Sequence, residues 1–415
     1  MRPYRVLSHR DFRWLWTSQL VSLTGSQMQY AAIDWHIYLL TKSPLALGTV
    51  GLVRMIPILS LSLWGGVVAD RRDRRRIMAI TQSAMLIAAS ILAWLTWTGG
   101  ETLAALYAVT ALTSAAGSFD NPARQALIPK LVPRAELPAA LSMNLTIFHA
   151  AMIGGPALAG LMIATSDGGT KGLAWIYGIN ALSFAGVIAA VAGMRTSGKP
   201  EGEPGSFEPP LVALRQGLRF VFGTPIMVWT MAVDFVATFF SAATSLLPIF
   251  ADQILKVGPV GFGWLRAAPG LGALVGSLIA SVRPLPRRQG PWFLGAVAAF
   301  GAATIVYGLS RSFLLTFLAL FASGFADLVS TVIRQTIRQL ITPDELRGRM
   351  TSVNMIFFMG GPQLGEMESG LVASLFATVA LGATVSVVSG GVLTVLFTAW
   401  VAWRAPAVRR YALDG

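Results

Sequence analysis

Four polar residues near the N-terminus lie at helical spacing within an otherwise apolar stretch. Gln27, Tyr30, Asp34 and Tyr38 are separated by three, four and four positions, which places them on one face of an α-helix. In a membrane helix such a stripe faces protein or water, because lipid cannot satisfy its hydrogen bonds. The stripe therefore predicts one wall of a polar path, in which Asp34 could bind a proton or a polar group of a ligand.

A second charge lies at a matching depth in the next apolar stretch. Asp34 precedes Lys42 by eight residues and Arg54 follows it by twelve. At about 1.5 Å of rise per residue, both charges lie in the outer half of a membrane. We expect them to pair, or to hold opposite charges beside the same cavity, because an isolated charge there is costly. Two interpretations stay open: an ion pair that only joins two helices, and a pair that handles substrate or protons.

Further charged residues interrupt the apolar stretches of the second half. Asp234 and Asp327 are single carboxylates, and Arg266 is a single cation. Burial disfavours the charged form of a carboxylate, so such a group can carry a proton, although it can equally join two helices by hydrogen bonds. Glu366 and Glu368 are two positions apart, about 200° around a helix, and cannot face the same cavity. Glu366 is the one we predict to face the pore.

The sequence offers little other chemistry. It contains no cysteine, which excludes disulfides, iron–sulfur clusters and thiolate zinc sites. The three histidines are too far apart in sequence to form a local metal motif, and His36 and His149 are predicted to be packing residues rather than proton relays. No Gly-x4-Gly-Lys-Ser/Thr loop and no His-Glu-x-x-His motif is present. We expect a protein that is not an enzyme, does not use ATP, and needs no cofactor or metal.

The composition shows which elements position these residues. Hydrophobic residues make up 54% of the 415-residue chain and charged residues only 12%, whereas a soluble domain carries about 25% charged residues. A membrane-crossing helix needs roughly 20 mostly apolar residues. On this criterion the sequence predicts an all-α membrane protein with twelve spans. They are Phe12–Leu40, Leu45–Ala69, Ile77–Thr98, Leu103–Phe119, Ala139–Ala164, Gly172–Met194, Pro225–Phe250, Val260–Val282, Trp292–Ser310, Phe313–Ile333, Thr351–Thr378 and Leu381–Trp403.

Basic residues orient these spans. Of the 32 Lys and Arg residues, 26 lie in the N-terminal segment and in the segments after even-numbered spans, the C-terminal one included. Four lie in the loops after odd-numbered spans, and Arg54 and Arg266 lie within spans. Because cytoplasmic loops carry the excess of Lys and Arg, both termini are predicted to be cytoplasmic. The net charge of +13 is therefore explained by the orientation of the helices in an inner (plasma) membrane. We expect the lipid bilayer to be the partner of this basic chain, and we expect no nucleic acid.

A polar, Gly- and Pro-rich segment separates two halves of the chain. Residues 198–223 combine a flexible linker with a short amphipathic helix that is predicted to lie on the cytoplasmic membrane surface. The halves are an N-terminal six-helix bundle at 1–197 and a C-terminal six-helix bundle at 224–415. One chain supplies both halves, so we expect a monomer.

The two halves repeat short signatures in the same order, about two hundred residues apart. The ordered set predicts an internal duplication. Two six-helix bundles related by an axis along the membrane normal imply a central path that opens alternately to each side. The paired signatures are Gly51–Pro57 and Gly263–Pro269, Arg124-Gln125 and Arg334-Gln335, Pro133 and Pro343, Asn144 and Asn354, and Gly154-Gly155-Pro156 and Gly360-Gly361-Pro362.

The segment between spans two and three resembles the cytoplasmic signature of the major facilitator superfamily. The pattern covers Gly66, Asp70, Arg71, Arg74 and Arg75, and Asp73 stands where the pattern usually has glycine. The resemblance spans nearly the whole chain and implies the major facilitator fold.

Within that resemblance, the signature implies a cytoplasmic gate. Gly66 would permit close helix packing. Asp70 would meet the positive N-terminal end of span eleven, or Arg347 and Arg349 just before it. The alternative is that the arginines only fix topology.

Two other stretches narrow the resemblance. Segments Asn121–Pro133 and Gln339–Arg349 resemble the branch that contains the enterobactin exporter and macrolide efflux proteins. Gly155, Pro156 and Gly160 in span five are similar to the Gly-Pro element of drug/proton antiporters, without its upstream glycines.

The resemblance implies a secondary exporter that expels an amphipathic small molecule, a drug or siderophore-like metabolite, by proton antiport. A uniporter or importer of a nutrient or lipid, and a non-transporting sensor or scaffold on the same fold, stay open.

Overall fold

A computed structural model describes residues 3–166, 170–200, 210–241, 243–283, 286–343 and 346–412. Within these ranges the side chains of 3–4, 63, 210–214, 243, 347–349 and 351–359 lie outside the description. All regular elements of the described part are helical. The helices longer than ten residues are α1 (Arg10–Thr41), α2 (Pro44–Arg71), α3 (Arg74–Thr98), α4 (Leu103–Leu131), α5 (Leu137–Ala164), α6 (Thr170–Gly193), α7 (Pro210–Gly223), α8 (Pro225–Ser241), α9 (Gly258–Val282), α10 (Gln289–Leu309), α11 (Phe313–Ile341), α12 (Arg347–Ser374) and α13 (Val379–Arg404).

Nine stretches of the described residues are long and apolar enough to cross a membrane. Helices α1, α4 and α12 have comparable lengths but are not among them. Each of the three carries polar or charged side chains at several positions, which lowers its hydropathy. The structure therefore supports an all-α protein with many membrane spans, and the number twelve stays a prediction.

The predicted seventh span is not one continuous α-helix. Helix α8 ends at Ser241, and the chain continues through a 3₁₀ turn at Ala243–Leu246 and a π-helical turn at Phe250–Ile254. Pro248 lies between these turns, and proline removes a helical N–H donor and disfavours the helical conformation of the residue before it. Apolar content predicted the span but could not show this irregularity.

The fourth predicted span is longer than expected. We placed its end at Phe119, whereas α4 runs to Leu131 through Pro122 and Pro129. Arg124, which the sequence analysis assigned to a loop, is therefore a helical residue. The extra turns place its side chain against neighbouring helices.

The chain divides by Cα proximity into two compact units. The predicted bundles at 1–197 and 224–415 have other boundaries and stay a prediction. Unit 1 comprises Met1–Leu40, Val53–Phe207 and Gly258–Gly263, and unit 2 comprises Thr41–Leu52, Glu208–Val257 and Trp264–Gly415.

In unit 1, α3 packs against both α4 and α6. Met85, Ala116 and Phe184, one from each of these helices, meet in a buried apolar cluster. In unit 2, α10 packs against α11 and α13, where Phe293, Ile333 and Val401 form the corresponding core. Because lipid is as apolar as these side chains, the hydrophobic effect does not drive membrane helices together. Their association depends instead on close packing of this kind.

The departure of the gate-like signature from its family pattern has a structural explanation. Asp73 is the N-cap of α3, and its side chain accepts a hydrogen bond of 2.9 Å from the backbone N–H of Arg75. A carboxylate is favourable there because the first N–H groups of a helix lack partners. The acidic residue in place of glycine therefore starts the next helix.

The close helix approach predicted for Gly66 is made by its neighbour. A Cβ atom at Gly66 would meet no described residue within 4 Å. A Cβ at Gly65 would collide with the backbone oxygen of Ser118 in α4. Among the described residues, Gly65 makes the close helix contact, and the packing role predicted for Gly66 within the gate stays a prediction.

We expect Gly65→Ala to lower the melting temperature of the purified protein and Gly66→Ala to preserve or raise it. Overpacking a tight contact costs about 1–3 kcal/mol, whereas alanine in an open helical position gains helix propensity over glycine. Thermal unfolding of the two variants in the same detergent checks this prediction. Equal losses in both would contradict it.

Candidate functional site

A polar cavity of ≈ 250 Å³ lies within unit 1. Helices α1, α3, α4, α5 and α6 supply its lining residues. Gln27 and Tyr30 of the predicted stripe are among them, while Asp34 and Tyr38 are buried and not among them. The stripe thus supplies two residues to the cavity and two to the helix packing.

A buried carboxylate faces this cavity. Asp120 of α4 is 5% exposed and lines the cavity. Its Oδ1 atom accepts hydrogen bonds from Thr81 Oγ1 at 3.1 Å and from Gln82 Nε2 at 3.0 Å, both on α3. These neutral donors replace part of the water that the carboxylate loses on burial.

A guanidinium lies one helical turn further along α4. Arg124 Nη1 donates to Gln19 Oε1 at 2.7 Å, and Nη2 donates to Asn121 Oδ1. All three residues line the cavity. The partners of Arg124 are therefore amide oxygens, which carry no net charge.

A third polar contact joins α1 and α6 where both helices line the cavity. Asn180 Nδ2 donates to Gln29 Oε1 at 2.8 Å, and Ser183 Oγ donates to the backbone oxygen of Asn180 at 2.6 Å. Asn180 is fully buried. Buried amides of this kind hold two helices in one register, because each shift would leave a polar group unpaired.

Asp34 and Arg54 form the ion pair that their depth predicted. Arg54 Nη2 donates to Asp34 Oδ1 at 3.2 Å, and both side chains are buried. The guanidinium also lies over the ring of Tyr30, 4.9 Å from its centre, a favourable cation–π geometry. The pair joins α1 to α2 and extends to the rim of the cavity through Tyr30.

His36 is buried, as a packing residue would be, but it has polar neighbours. Its Nδ1 atom lies 3.1 Å from the hydroxyl of Tyr177, and its Nε2 atom lies 3.8 Å from Glu101 Oε1. His149 is half-buried and packs edge-on against Phe148. Neither arrangement decides between packing and proton relay.

In unit 2, Asp234 is paired with a cation that the sequence analysis did not assign to the site. Arg334 Nη1 and Asp234 Oδ2 form a buried ion pair between α11 and α8. Arg334 also reaches Thr331 Oγ1 at 3.4 Å. The repeat signature Arg334-Gln335 was visible in the sequence, but nothing there indicated its partner.

The remaining predicted residues of unit 2 lie on three helices. Asp327 on α11, Arg266 on α9 and Glu366 on α12 are all half-buried. No described residue donates a hydrogen bond to the carboxylate of Asp327. The backbone oxygen and Cβ of Glu366 lie against Gly48 and Gly51 of α2, where an added Cβ would come within 2.6 and 2.9 Å of them.

The side chains of Arg74 and Arg75 in the gate-like signature donate hydrogen bonds to backbone oxygens within unit 1. Arg74 Nη1 donates to the backbone oxygen of Ala126 at 3.1 Å. Arg75 Nε and Nη2 donate to the backbone oxygens of Val191 and Ala192 near the end of α6, each at 3.1 Å. The bonds of Arg75 satisfy carbonyl groups at the C-terminus of α6, where positive charge is favourable.

The first two charged residues of that signature are exposed to solvent or lipid. Asp70 and Arg71 are both exposed at the end of α2. Arg347 and Arg349, which were predicted to meet Asp70, have side chains outside the described residues. The gate contact therefore stays a prediction.

The Gly-Pro element of α5 is a surface for close helix contacts. A Cβ at Gly155 would collide with Gln27 of α1, and a Cβ at Gly160 would come within 3.0 Å of Gly263 at the start of α9. Both contacts lie within unit 1. The element thus sets the distance between α5 and the helix that carries the polar stripe.

Asp120, Arg124, Gln82 and Asn180 were missed as site residues. The first two lay beyond the predicted end of the fourth span, so they were read as loop residues. The two amides are single polar residues in apolar stretches. A spacing of four positions places Asp120 and Arg124 on one helix face, and this spacing is the signal that could have indicated them.

The sequence matches the model of the transmembrane secretion effector family of the major facilitator superfamily over residues 1–409. Two similar curated proteins are the enterobactin exporter EntS of Escherichia coli O1:K1 / APEC and that of Shigella boydii serotype 18. Each is 25% identical over 90% of this chain and 88% of its own length. These matches confirm the resemblance drawn from the Asn121–Pro133 and Gln339–Arg349 segments.

Solved structures share the fold. A bacterial homologue of the human lysosomal transporter Spinster, inward-facing and unoccupied, is 14% identical with a TM-score of 0.74, and all of both chains is covered. A bacterial homologue of the iron transporter ferroportin, inward-facing, is 16% identical with a TM-score of 0.67 over 94% of this chain and 98% of its own. At these identities the likeness concerns the fold alone.

Proposed function

Because the chain belongs to the transmembrane secretion effector family, we propose that it is a secondary exporter that expels an amphipathic small molecule against proton entry. The observation that carries this proposal is the family match over residues 1–409, together with exporter relatives aligned over 90% of the chain. The proposed setting is the plasma membrane, with both termini in the cytoplasm and a monomeric protein that alternates its access.

Buried carboxylates support the proton-coupled part of the proposal. Asp34 and Asp234 each pair with an arginine. Asp327 has no described hydrogen-bond donor at its carboxylate. A carboxylate without a cation beside it gains a proton more readily than one in an ion pair. We therefore propose Asp327 as the first candidate for the proton-carrying acid, ahead of Asp234.

The test begins with the cargo. Efflux of ethidium, erythromycin and enterobactin is measured in cells with and without the protein, each with and without a protonophore. The third compound is included because the curated relatives are named as its exporters. An exporter driven by protons lowers the cell content of at least one compound, and the protonophore abolishes the difference.

We expect Asp327→Asn to lose gradient-driven transport while keeping cargo exchange. Proteoliposomes with an imposed pH gradient measure the first, and labelled-for-unlabelled exchange measures the second. Asp234→Asn is the matched comparison on α8. A wild-type protein that equilibrates cargo without regard to the gradient would be a uniporter, and one that moves nothing would fit a sensor or scaffold.

A further inference from the structure

The cavity of unit 1 holds two opposite charges that are not paired with each other. Asp120 and Arg124 both line it, one helical turn apart on α4. Among the described residues, Asp120 bonds to a hydroxyl and an amide, and Arg124 bonds to two amide oxygens. No ion pair joins them, and neither forms a further hydrogen bond or ion pair with a described residue. The cavity thus presents a separate cationic and a separate anionic group.

Several polar atoms around these charges are buried without a described partner. They include Nε of Arg124, Nε2 of Gln19 and Oε1 of Gln82. Gln19 is 2% exposed and Gln82 is 3% exposed, and both line the cavity. A buried polar atom without a hydrogen bond costs about 1–3 kcal/mol. A ligand in the cavity would remove this cost by supplying an acceptor to Arg124 and Gln19 and a donor to Gln82.

The equivalent position in the repeat of unit 2 has a different charge arrangement. The signature Arg124-Gln125 corresponds to Arg334-Gln335, and the arginine there is neutralised by Asp234. The position that corresponds to Asp120 is Ser330. Only the copy in unit 1 therefore combines an arginine without a carboxylate partner and an aspartate without a cationic partner.

We propose that this cavity binds a small zwitterionic group of the cargo, with its oxyanion at Arg124 and its ammonium at Asp120. The Oδ2 atom of Asp120 receives no hydrogen bond from a described residue, which leaves it for the ammonium. Met85, Phe148 and Phe184 also line the cavity and offer an apolar wall. The site therefore takes an amino-acid-like group that carries an apolar or aromatic substituent.

The size and the charge balance agree with this ligand class. A volume of ≈ 250 Å³ accommodates one aromatic amino acid but not a large drug. One positive and one negative group make the lining neutral overall, so a singly charged ligand would leave one of the two groups without an opposite charge beside it. This inference rests on the proposed export function and names the part of the cargo that unit 1 recognises.

Three probes that share a phenylethyl group test the proposal on the purified full-length protein. Phenylalanine carries both charges, phenethylamine only the ammonium, and 3-phenylpropionate only the carboxylate. Isothermal titration calorimetry near neutral pH measures their affinities. We expect phenylalanine to bind at least about tenfold more tightly than either singly charged probe, because each charged hydrogen bond contributes about that factor.

Two variants separate the roles of the charged groups. Arg124→Gln is expected to weaken phenylalanine to the level of phenethylamine and to leave phenethylamine unchanged. Asp120→Asn is expected to weaken phenylalanine to the level of 3-phenylpropionate and to leave that probe unchanged. Arg134→Gln makes the same chemical change at an exposed position of unit 1 and keeps the wild-type order.

Other outcomes overturn the inference. Equal loss of all three probes in both variants would show that Asp120 and Arg124 only hold helices together. Absence of binding by any probe, or no preference for phenylalanine in the wild type, would also refute the site. The experiment is independent of the flux assay: selective binding without gradient-driven transport refutes the export proposal alone, and transport without selectivity refutes this site alone.

Discussion

Replacing Asp34 by asparagine is expected to destabilise the protein by roughly 3–5 kcal/mol, the cost of breaking a buried ion pair by removing one partner. Asp34 is 3% exposed, and Arg54, its partner at 3.2 Å, is 9% exposed. The guanidinium of Arg54 would stay buried after losing the carboxylate of Asp34. Thermal unfolding in detergent measures the loss, and Arg54→Gln is expected to cause a loss of similar size.

The double variant Asp34→Asn/Arg54→Gln is the control. It removes both charges and leaves two amide side chains that can bond to each other, so most of the stability should return. A double variant that loses as much as the two single variants together would refute the pair as the cause.

The same double variant decides between the two interpretations of the pair. An ion pair that only joins α1 and α2 predicts cargo flux with the wild-type pH profile once stability is restored. A pair that handles protons or substrate predicts a stable protein whose flux no longer responds to the pH gradient. Proteoliposome flux at several external pH values measures this difference.

We expect Gly155→Ala to impair both stability and cargo binding. The added Cβ would collide with Gln27 and come within 3.0 Å of the backbone oxygen of Thr24 on α1. Overpacking of this kind costs about 1–3 kcal/mol. Because Gln27 lines the cavity, a displacement of α1 changes the site as well as the packing. Melting temperature and probe affinity are the two measurements.

Gly154→Ala supplies the matched control on the same helix. A Cβ at Gly154 would come within 4 Å of none of the described residues, so this variant should bind probes as the wild type does. Its melting temperature should stay unchanged or rise, since alanine is favoured over glycine inside a helix by about 0.5–1 kcal/mol. Comparable damage in the two variants would contradict the assigned contact.

Buried charges were the part of the site that the sequence could predict. An isolated charge in lipid needs a partner, and helical rise fixes its depth, so Asp34 and Arg54 could be matched without a structure. Apolar content likewise predicted the bounds of most long helices within a few residues. These inferences rest on local rules, in which each residue constrains its own helix.

The polar cavity could not be predicted in the same way. Its charges belong to Asp120 and Arg124, which follow the last strongly apolar residues of span four and read as loop residues. The helix continues past Pro122 to Leu131, and Arg124 in this extension bonds to Gln19 of α1. The partner of a buried charge on another helix could not be predicted either. The sequence shows Arg334, but it does not show that Asp234 of another helix neutralises its charge.

Glycine pairs in three helices have one member in tight contact and one with an empty flank. The glycines with an open flank are Gly66 on α2, Gly154 on α5 and Gly360 on α12, where an added Cβ would meet nothing within 4 Å in the part of the chain that the structure describes. Each lowers intrinsic helix stability by about 0.5–1 kcal/mol relative to alanine without a packing contact in return. At these three positions the helix presents only its backbone. A neighbouring helix that tilts or slides past would therefore meet no side chain that has to move first.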